Sequence, residues 1–238
     1  PFGPTIVHSH GPRAGLLANF VLPNGVKFVY TEHIYDESYR LKNPINDYLQ
    51  RFFLKKQNFK ANLIIAVSSS VKKALIKNGL VPADKIIVIP NGVDVDQFKV
   101  GKPVASKYNH PVIGSVSNLN PTKGFEYLID AIPIIKKKFP LISVEIIGAG
   151  PERNKLILKV KELGLIHNVS LLGGKKDGYK YIKHWRAFVL PSVSEPFGIA
   201  ALEAMASGVP VVASKVGGLQ DIITDKKNGL LVEPRNSD

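Results

Sequence analysis

The stretch FVLPSVSEPFGIAALEAMASGVPVVASKVGG, residues Phe188–Gly218, changes its hydrophobic pattern twice within about thirty residues. The apolar run Phe188-Val189-Leu190 predicts a buried strand, which Pro191 ends. Ser194 stands where a helix N-cap would be and Pro196 at the first helical position, so a helix is expected over about Phe197–Ser207. Its Ala, Leu and Met content suits that state, and Gly208 supplies the stop. Val209–Ala213 predicts the next strand. Strand, helix, strand at this spacing is a βαβ unit, whose parallel strands belong in a sheet covered on both faces.

Two carboxylates interrupt the apolar text, Glu195 at the mouth of the helix and Glu203 inside it. Eight helical steps put the two about 80° apart around the axis and about 12 Å apart along it. They could then address one elongated ligand lying across the helix N-terminus. Ala201, Leu202, Ala204, Met205 and Ala206 flank Glu203, so its side chain is expected to face a cleft or a buried partner. The simpler reading makes Glu195 a complement to the helix dipole and Glu203 a solvated position. The Pro-Phe-Gly between them favours a ligand.

Working outward, the same rhythm recurs in both directions. Strands are expected at Val112–Val116, Ser143–Ile147, Val169–Leu172 and Leu230–Val232, with helices at Phe125–Lys137 and Lys155–Leu163. Earlier in the chain, strands are expected at Thr5–His8, Val26–Thr31, Leu63–Val67 and Ile86–Ile89. A helix over Ala14–Phe20 and one over Val71–Asn78, capped by Ser68-Ser69-Ser70, lie between them. The alternation argues α/β architecture with doubly wound parallel sheets. The Pro90-Asn91-Gly92 turn and a linker to about residue 106 divide the chain into residues 1–105 and 106–238.

Charge narrows the partners. Thirty-two Lys and Arg oppose nineteen Asp and Glu, a net +13 that implies anionic company. No zinc-ligand spacing, RNP motif or basic zipper is present, so nucleic acid is not the expected partner. With no Cys, disulfide, thiolate and Cys-metal chemistry are excluded, which fits a reducing cytosol. No apolar run reaches the about eighteen residues of a membrane span, and the chain begins with Pro1, so neither a span nor a signal peptide is expected. Tyr39–Lys60 stands apart: six basic residues against Asp47 alone, interleaved with Tyr39, Tyr48, Phe52, Phe53 and Phe59. It predicts an amphipathic helix that either lays its aromatics on a core or meets a membrane surface or lipid-linked acceptor.

The chemistry-bearing positions fall at strand ends, where open α/β sheets bind ligands. Lys123 stands in the turn Asn120-Pro121-Thr122-Lys123-Gly124, which opens a helix and so offers N–H groups beside its ammonium to a phosphate. The segment Phe197-Gly198-Ile199 offers the same at the next helix. Gly148-Ala149-Gly150 and Gly173-Gly174-Lys175 would line the same cleft. His8 and His10 are read as hydrogen-bonded structural residues, whereas His33, just beyond a strand, is a functional candidate.

The motif S-x-S-E-P-F-G-I-x-x-L-E-A-M-A-x-G resembles the retaining glycosyltransferases of GT-B fold, most closely family 4. VIPNGVDVDQF (Val88–Phe98), VSNLNPTKGFEYLIDAI (Val116–Ile132), IIGAGPE (Ile146–Glu152), VSLLGG (Val169–Gly174) and NGLLVEP (Asn228–Pro234) follow in the order that family shows. The resemblance implies two Rossmann-like domains facing a cleft, both incomplete here. The family's opening strand has no counterpart before Thr5, and its closing helices would follow Asp238. It further implies a nucleoside-diphosphate sugar as donor, either a UDP-sugar or GDP-mannose, with a sugar, polysaccharide or lipid-linked acceptor. By the same resemblance Glu195 binds the transferred hexose, Glu203 the ribose, Lys123 the diphosphate, and Gly174-Lys175 and Gly148 with Gly150 the base side. His33 shapes the reaction centre. Asn118 stands where the family has a phosphate-binding arginine. Neither a metal nor a cofactor is implied, and the expected location is the cytoplasm, peripheral on the inner face of the cell membrane. A sugar-nucleotide epimerase of the same fold, or a module that binds nucleotide or membrane without catalysis, is the alternative.

Overall fold

The computed structural model describes residues 3–35, 48–49, 51–52, 54–55, 60–98 and 109–238. Two compact units divide the chain, Pro1–Asn91 and Gly92–Asp238.

The first unit is a four-stranded parallel sheet in the order β1-β2-β3-β4, formed by Ile6–His10, Lys27–Glu32, Leu63–Ala66 and Ile86–Val88. Helix α1 (Gly11–Val21) follows β1 without a loop, and α2 (Ser69–Lys77) follows β3. Ser68 caps α2 by accepting the N–H of Val71, as its sequence position predicts. Phe28, Tyr30, Ile64, Leu75 and Ile86 are buried in this sheet's core. Most of the basic, aromatic segment Tyr39–Lys60 lies outside the described residues. Within it, Tyr48, Leu49 and Phe52 are exposed while Leu54 is buried, so these three described positions are turned away from the core.

The second unit carries a six-stranded parallel sheet in the order β10-β9-β8-β5-β6-β7. Its strands are β5 (Val112–Val116), β6 (Ser143–Ile147), β7 (Val169–Gly173), β8 (Ala187–Leu190), β9 (Val211–Ser214) and β10 (Leu230–Val232). Helices α3 (Val95–Phe98), α4 (Phe125–Lys138), α5 (Arg153–Glu162), α6 (Tyr179–Ile182), α7 (Ile199–Ala206) and α8 (Leu219–Ile222) complete it. The sheet is filled by two buried clusters. Leu119, Phe125, Ile129, Ile132, Ile146 and Leu156 form one, and Trp185, Phe188, Leu190, Ala201, Ala204 and Leu219 form the other. A parallel sheet sandwiched this way needs mostly apolar strands, and these are mostly Val, Ile and Leu, with Glu145 in β6 the charged exception. Among the described residues no helix is long and apolar enough to cross a membrane.

Several expected boundaries move by two or three residues (α1 begins at Gly11 rather than Ala14, α5 at Arg153 rather than Lys155, β9 at Val211 rather than Val209), and one such shift bears on the site. The helix after Pro196 begins at Ile199 rather than Phe197, with Gly198 as its N-cap at φ 109° and no side-chain cap bond. Ser194 instead donates its backbone N–H to Thr122 O at 3.2 Å. Glu195 therefore lies outside the helix, and the eight-step helical relation between Glu195 and Glu203 does not apply. Within α7, Glu203 is four residues from Ile199 and shares its face.

Candidate functional site

The strand order reverses between β8 and β5: β6 and β7 lie to one side of β5, and β8, β9 and β10 to the other. Loops leaving the C-terminal ends of β5 and β8 therefore diverge, and the crevice between them is where such sheets bind ligands. Lys123 comes from the loop after β5 and Glu195 from the loop after β8. The two meet, with Lys123 Nζ 2.6 Å from Glu195 Oε2. The same oxygen accepts the Ser192 hydroxyl at 3.2 Å. Both side chains are largely enclosed, 18% and 9% exposed, so the pair is shielded more than a surface pair would be.

The backbone braces this contact. Thr122 O accepts the N–H groups of Val193 and Ser194, and the N–H of Gly218 reaches Glu195 O at 2.9 Å. Two glycines make the approach feasible. A Cβ on Gly124, at φ 59°, would sit 2.1 Å from Pro191 O, and one on Gly217, at φ 48°, 1.9 Å from Glu195 O. The Asn120–Gly124 turn and the loop carrying Glu195 are thus fastened to each other and to the loop after β9.

Around them lie the other expected positions. The loops after β5, β6 and β7 are linked by Leu119 N–H to Ala149 O at 2.9 Å and Gly148 N–H to Gly173 O at 2.9 Å, which brings Gly148, Gly150 and Gly174 to one end of the sheet. Lys175 and Asn118 are exposed there. Phe197 is buried, and the first N–H groups of α7, at Ile199 onward, are left uncapped by any side chain. Glu203 is half-buried, and burial pushes its carboxyl above the usual range.

His33 belongs to the first unit and has its own surroundings there. His33 Nε2 and His10 Nδ1 are 2.9 Å apart with the rings stacked at 5.2 Å between centroids. His8 Nε2 lies 2.7 Å from Thr31 Oγ1, and its ring is 4.3 Å from that of His10. Burial, and then the neighbouring imidazoles, hold both His8 and His33 below the ordinary histidine range. Among the described residues no three His, Asp or Glu side chains are arranged to hold a metal ion.

Sequence reading overlooked Ser192, Thr122, Glu32 and the contact of His10 with His33. The His-x-His spacing sets His8 and His10 on one face of β1, but their meeting with His33 depends on β1 and β2 being neighbours. The role of Thr122 lies in its carbonyl and had no signature.

The family described as glycosyl transferases group 1 matches residues 96–238, and that described as Glycosyltransferase Family 4 matches residues 1–97. An uncharacterized glycosyltransferase of Methanocaldococcus jannaschii is 39% identical, over 74% of this chain and 48% of its own length. A GDP-mannose-dependent alpha-(1-6)-phosphatidylinositol monomannoside mannosyltransferase of Mycobacterium tuberculosis is 28% identical, over 74% of this chain and 50% of its own. The chain spans about half the length of these relatives. Among solved structures, Anabaena HepE in complex with UDP-glucose superposes with a TM-score of 0.83 at 28% identity, over 98% of this chain and 66% of HepE.

Proposed function

Because the chain belongs to the group 1 glycosyl transferases, we propose that it moves a hexosyl group from a nucleoside-diphosphate sugar to a hydroxyl acceptor, with retention at the anomeric carbon. The observation that carries this is the Lys123–Glu195 pair set at the reversal of strand order. A cation beside uncapped helix N–H groups suits a diphosphate, and a carboxylate on the other side of the crevice suits sugar hydroxyls. The UDP-glucose complex of HepE and the GDP-mannose dependence of the mycobacterial relative support a donor of this class.

In this reading Lys123 and the start of α7 hold the diphosphate. Glu195 accepts from the hexose hydroxyls and Glu203 from the ribose. Gly148, Gly150, Gly174 and Lys175 border the base. Asn118 contributes an amide but no charge, so more of the phosphate's neutralisation falls on Lys123. As the bond from C1 to the diphosphate oxygen breaks, the acceptor oxygen bonds C1 on the same face, and its proton passes to the departing diphosphate. The protein's part is positioning and stabilisation of the developing phosphate charge. His33, in the first unit, is assigned a catalytic part in the transfer. The exposed Tyr48, Leu49 and Phe52, in a segment rich in lysine and arginine, support an acceptor met at an anionic membrane on its cytoplasmic side, a lipid or lipid-linked sugar.

Calorimetric titration with UDP, GDP and ADP tests the donor site. One of them should bind, and Lys123→Ala should weaken it by about 1.5–3 kcal/mol, the range of a charged hydrogen bond. Binding of none, or unchanged affinity in the variant, removes Lys123 from a phosphate site.

A further inference from the structure

Glu32 is the anomaly of the first unit. Alternation along β2 sets Phe28, Tyr30 and Glu32 in one buried row, exposed by 3%, 0% and 1%. An apolar side chain would be the economical third member, since an enclosed carboxylate is costly. Every contact made by this carboxylate is with a donor. Tyr30 donates its hydroxyl to Oε2 at 2.6 Å, while the backbone N–H groups of Ile34 and Tyr35 reach Oε1 at 3.0 and 3.2 Å. The N–H of His33 also favours the charged form of the same carboxylate. On the opposite face of the strand end, Thr31 meets His8, and His33 meets His10.

We propose that Glu32 is a positioning residue for His33: from beneath the sheet it fastens the turn through Tyr35, so that Nε2 of His33 faces Nδ1 of His10 and the imidazole is held in one orientation and one tautomer. This rests on the catalytic part assigned to His33. Burial raises the pKa of Glu32, and the four donors oppose that rise. The titratable residues next to it are Tyr30 on its own strand and His33 and Tyr35 in the turn, while His8 and His10 on β1 lie across the sheet from it. The neighbouring strand β3 offers only Leu63–Ala66, none of which titrates.

The test is nitrogen NMR of the imidazoles in the full 238-residue chain, with a transfer assay beside it. The unaltered protein should show His33 in a single tautomer with Nε2 engaged. Glu32→Ala should release it to the tautomer mixture of a free imidazole while leaving the His8–Thr31 contact in place. Glu32→Gln, which keeps an oxygen acceptor, should restore the single tautomer. In transfer, Glu32→Ala should lower kcat by up to about 100-fold with the donor KM little changed. Tyr30→Phe covers the case in which the alanine variant does not fold. It removes one donor, so Glu32 protonates at higher pH, and the His33 signals should move over that same pH interval. A folded Glu32→Ala protein with unaltered His33 signals overturns the proposal, as does failure of Glu32→Gln to restore them, or pH-invariant His33 signals in Tyr30→Phe. Absence of transfer in the unaltered protein would count against the transferase reading alone, because the imidazole spectra do not depend on it.

Discussion

Lys123 Nζ lies 2.6 Å from Glu195 Oε2 although the two residues are separated by 72 positions in sequence. The lysine that a diphosphate would recruit is thus already engaged by the carboxylate assigned to the hexose. Binding of a sugar nucleotide then becomes an exchange, in which phosphate takes Lys123 and sugar hydroxyls take Glu195. Glu195→Gln should therefore raise affinity for UDP lacking a sugar by at least about 1 kcal/mol, the upper range for an exposed ion pair, since this one is largely enclosed. It should also abolish whatever advantage UDP-glucose has over UDP. Parallel calorimetry of the two ligands measures both, and weaker UDP binding in the variant would rule out the exchange.

Glu203 gives a pH dependence with a definite sign. Burial raises the pKa of its carboxyl, and the ionised form, all acceptor and no donor, is the better partner for the ribose hydroxyls assigned to it. Affinity for UDP-glucose should fall as pH drops through the raised value of Glu203, above the ordinary 4.5. It should be regained as pH rises. UDP-glucose suits the measurement because its diphosphate diester loses no proton in that interval. Glu203→Gln should flatten the profile, and an equally steep profile in that variant would place the titrating group elsewhere.

The assignment of retention is stereochemical and direct to check. Proton NMR of the first-formed product from an α-linked donor should show an α-anomeric signal. A β anomer would require an inverting arrangement.

Membrane contact is expected to be electrostatic with aromatic reinforcement. Co-sedimentation with vesicles should require anionic lipid, fall steeply with salt, and weaken when Lys55 and Lys56 become Glu. Binding to neutral vesicles alone, or to neither kind, would leave Tyr48, Leu49 and Phe52 as exposed side chains without that role.

Periodicity located the strands because a parallel sheet buried on both faces writes itself as short apolar runs, as at Val112–Val116 and Ser143–Ile147, both found as expected. Helix starts were less legible. Ser194 and Pro196 carry the residue types of a cap, yet Gly198 opens the helix, because the loop before it is held by Thr122 from the loop after β5. A local signal was overridden by a tertiary one. Lys123 and Glu195 each announced themselves, through a turn and a motif. Their contact did not, since it depends on β5 and β8 being neighbours in the sheet. Glu32 was hidden for the opposite reason: its partners are almost all backbone N–H groups of the three residues after it, which any sequence would supply.

The reversal of strand order also bears on how the second unit assembles. Strands β5, β6 and β7 can pair soon after one another along the chain, whereas β8 must return past them to lie beside β5. Non-local closure of that kind is the slow part of folding. A chain arrested before it would hold Lys123 in its turn but have no Glu195 opposite. A nucleotide gripped by both loops would then recognise only the finished sheet, drawing late intermediates forward by mass action. Its capture during refolding would mark the moment at which the two halves of the sheet join.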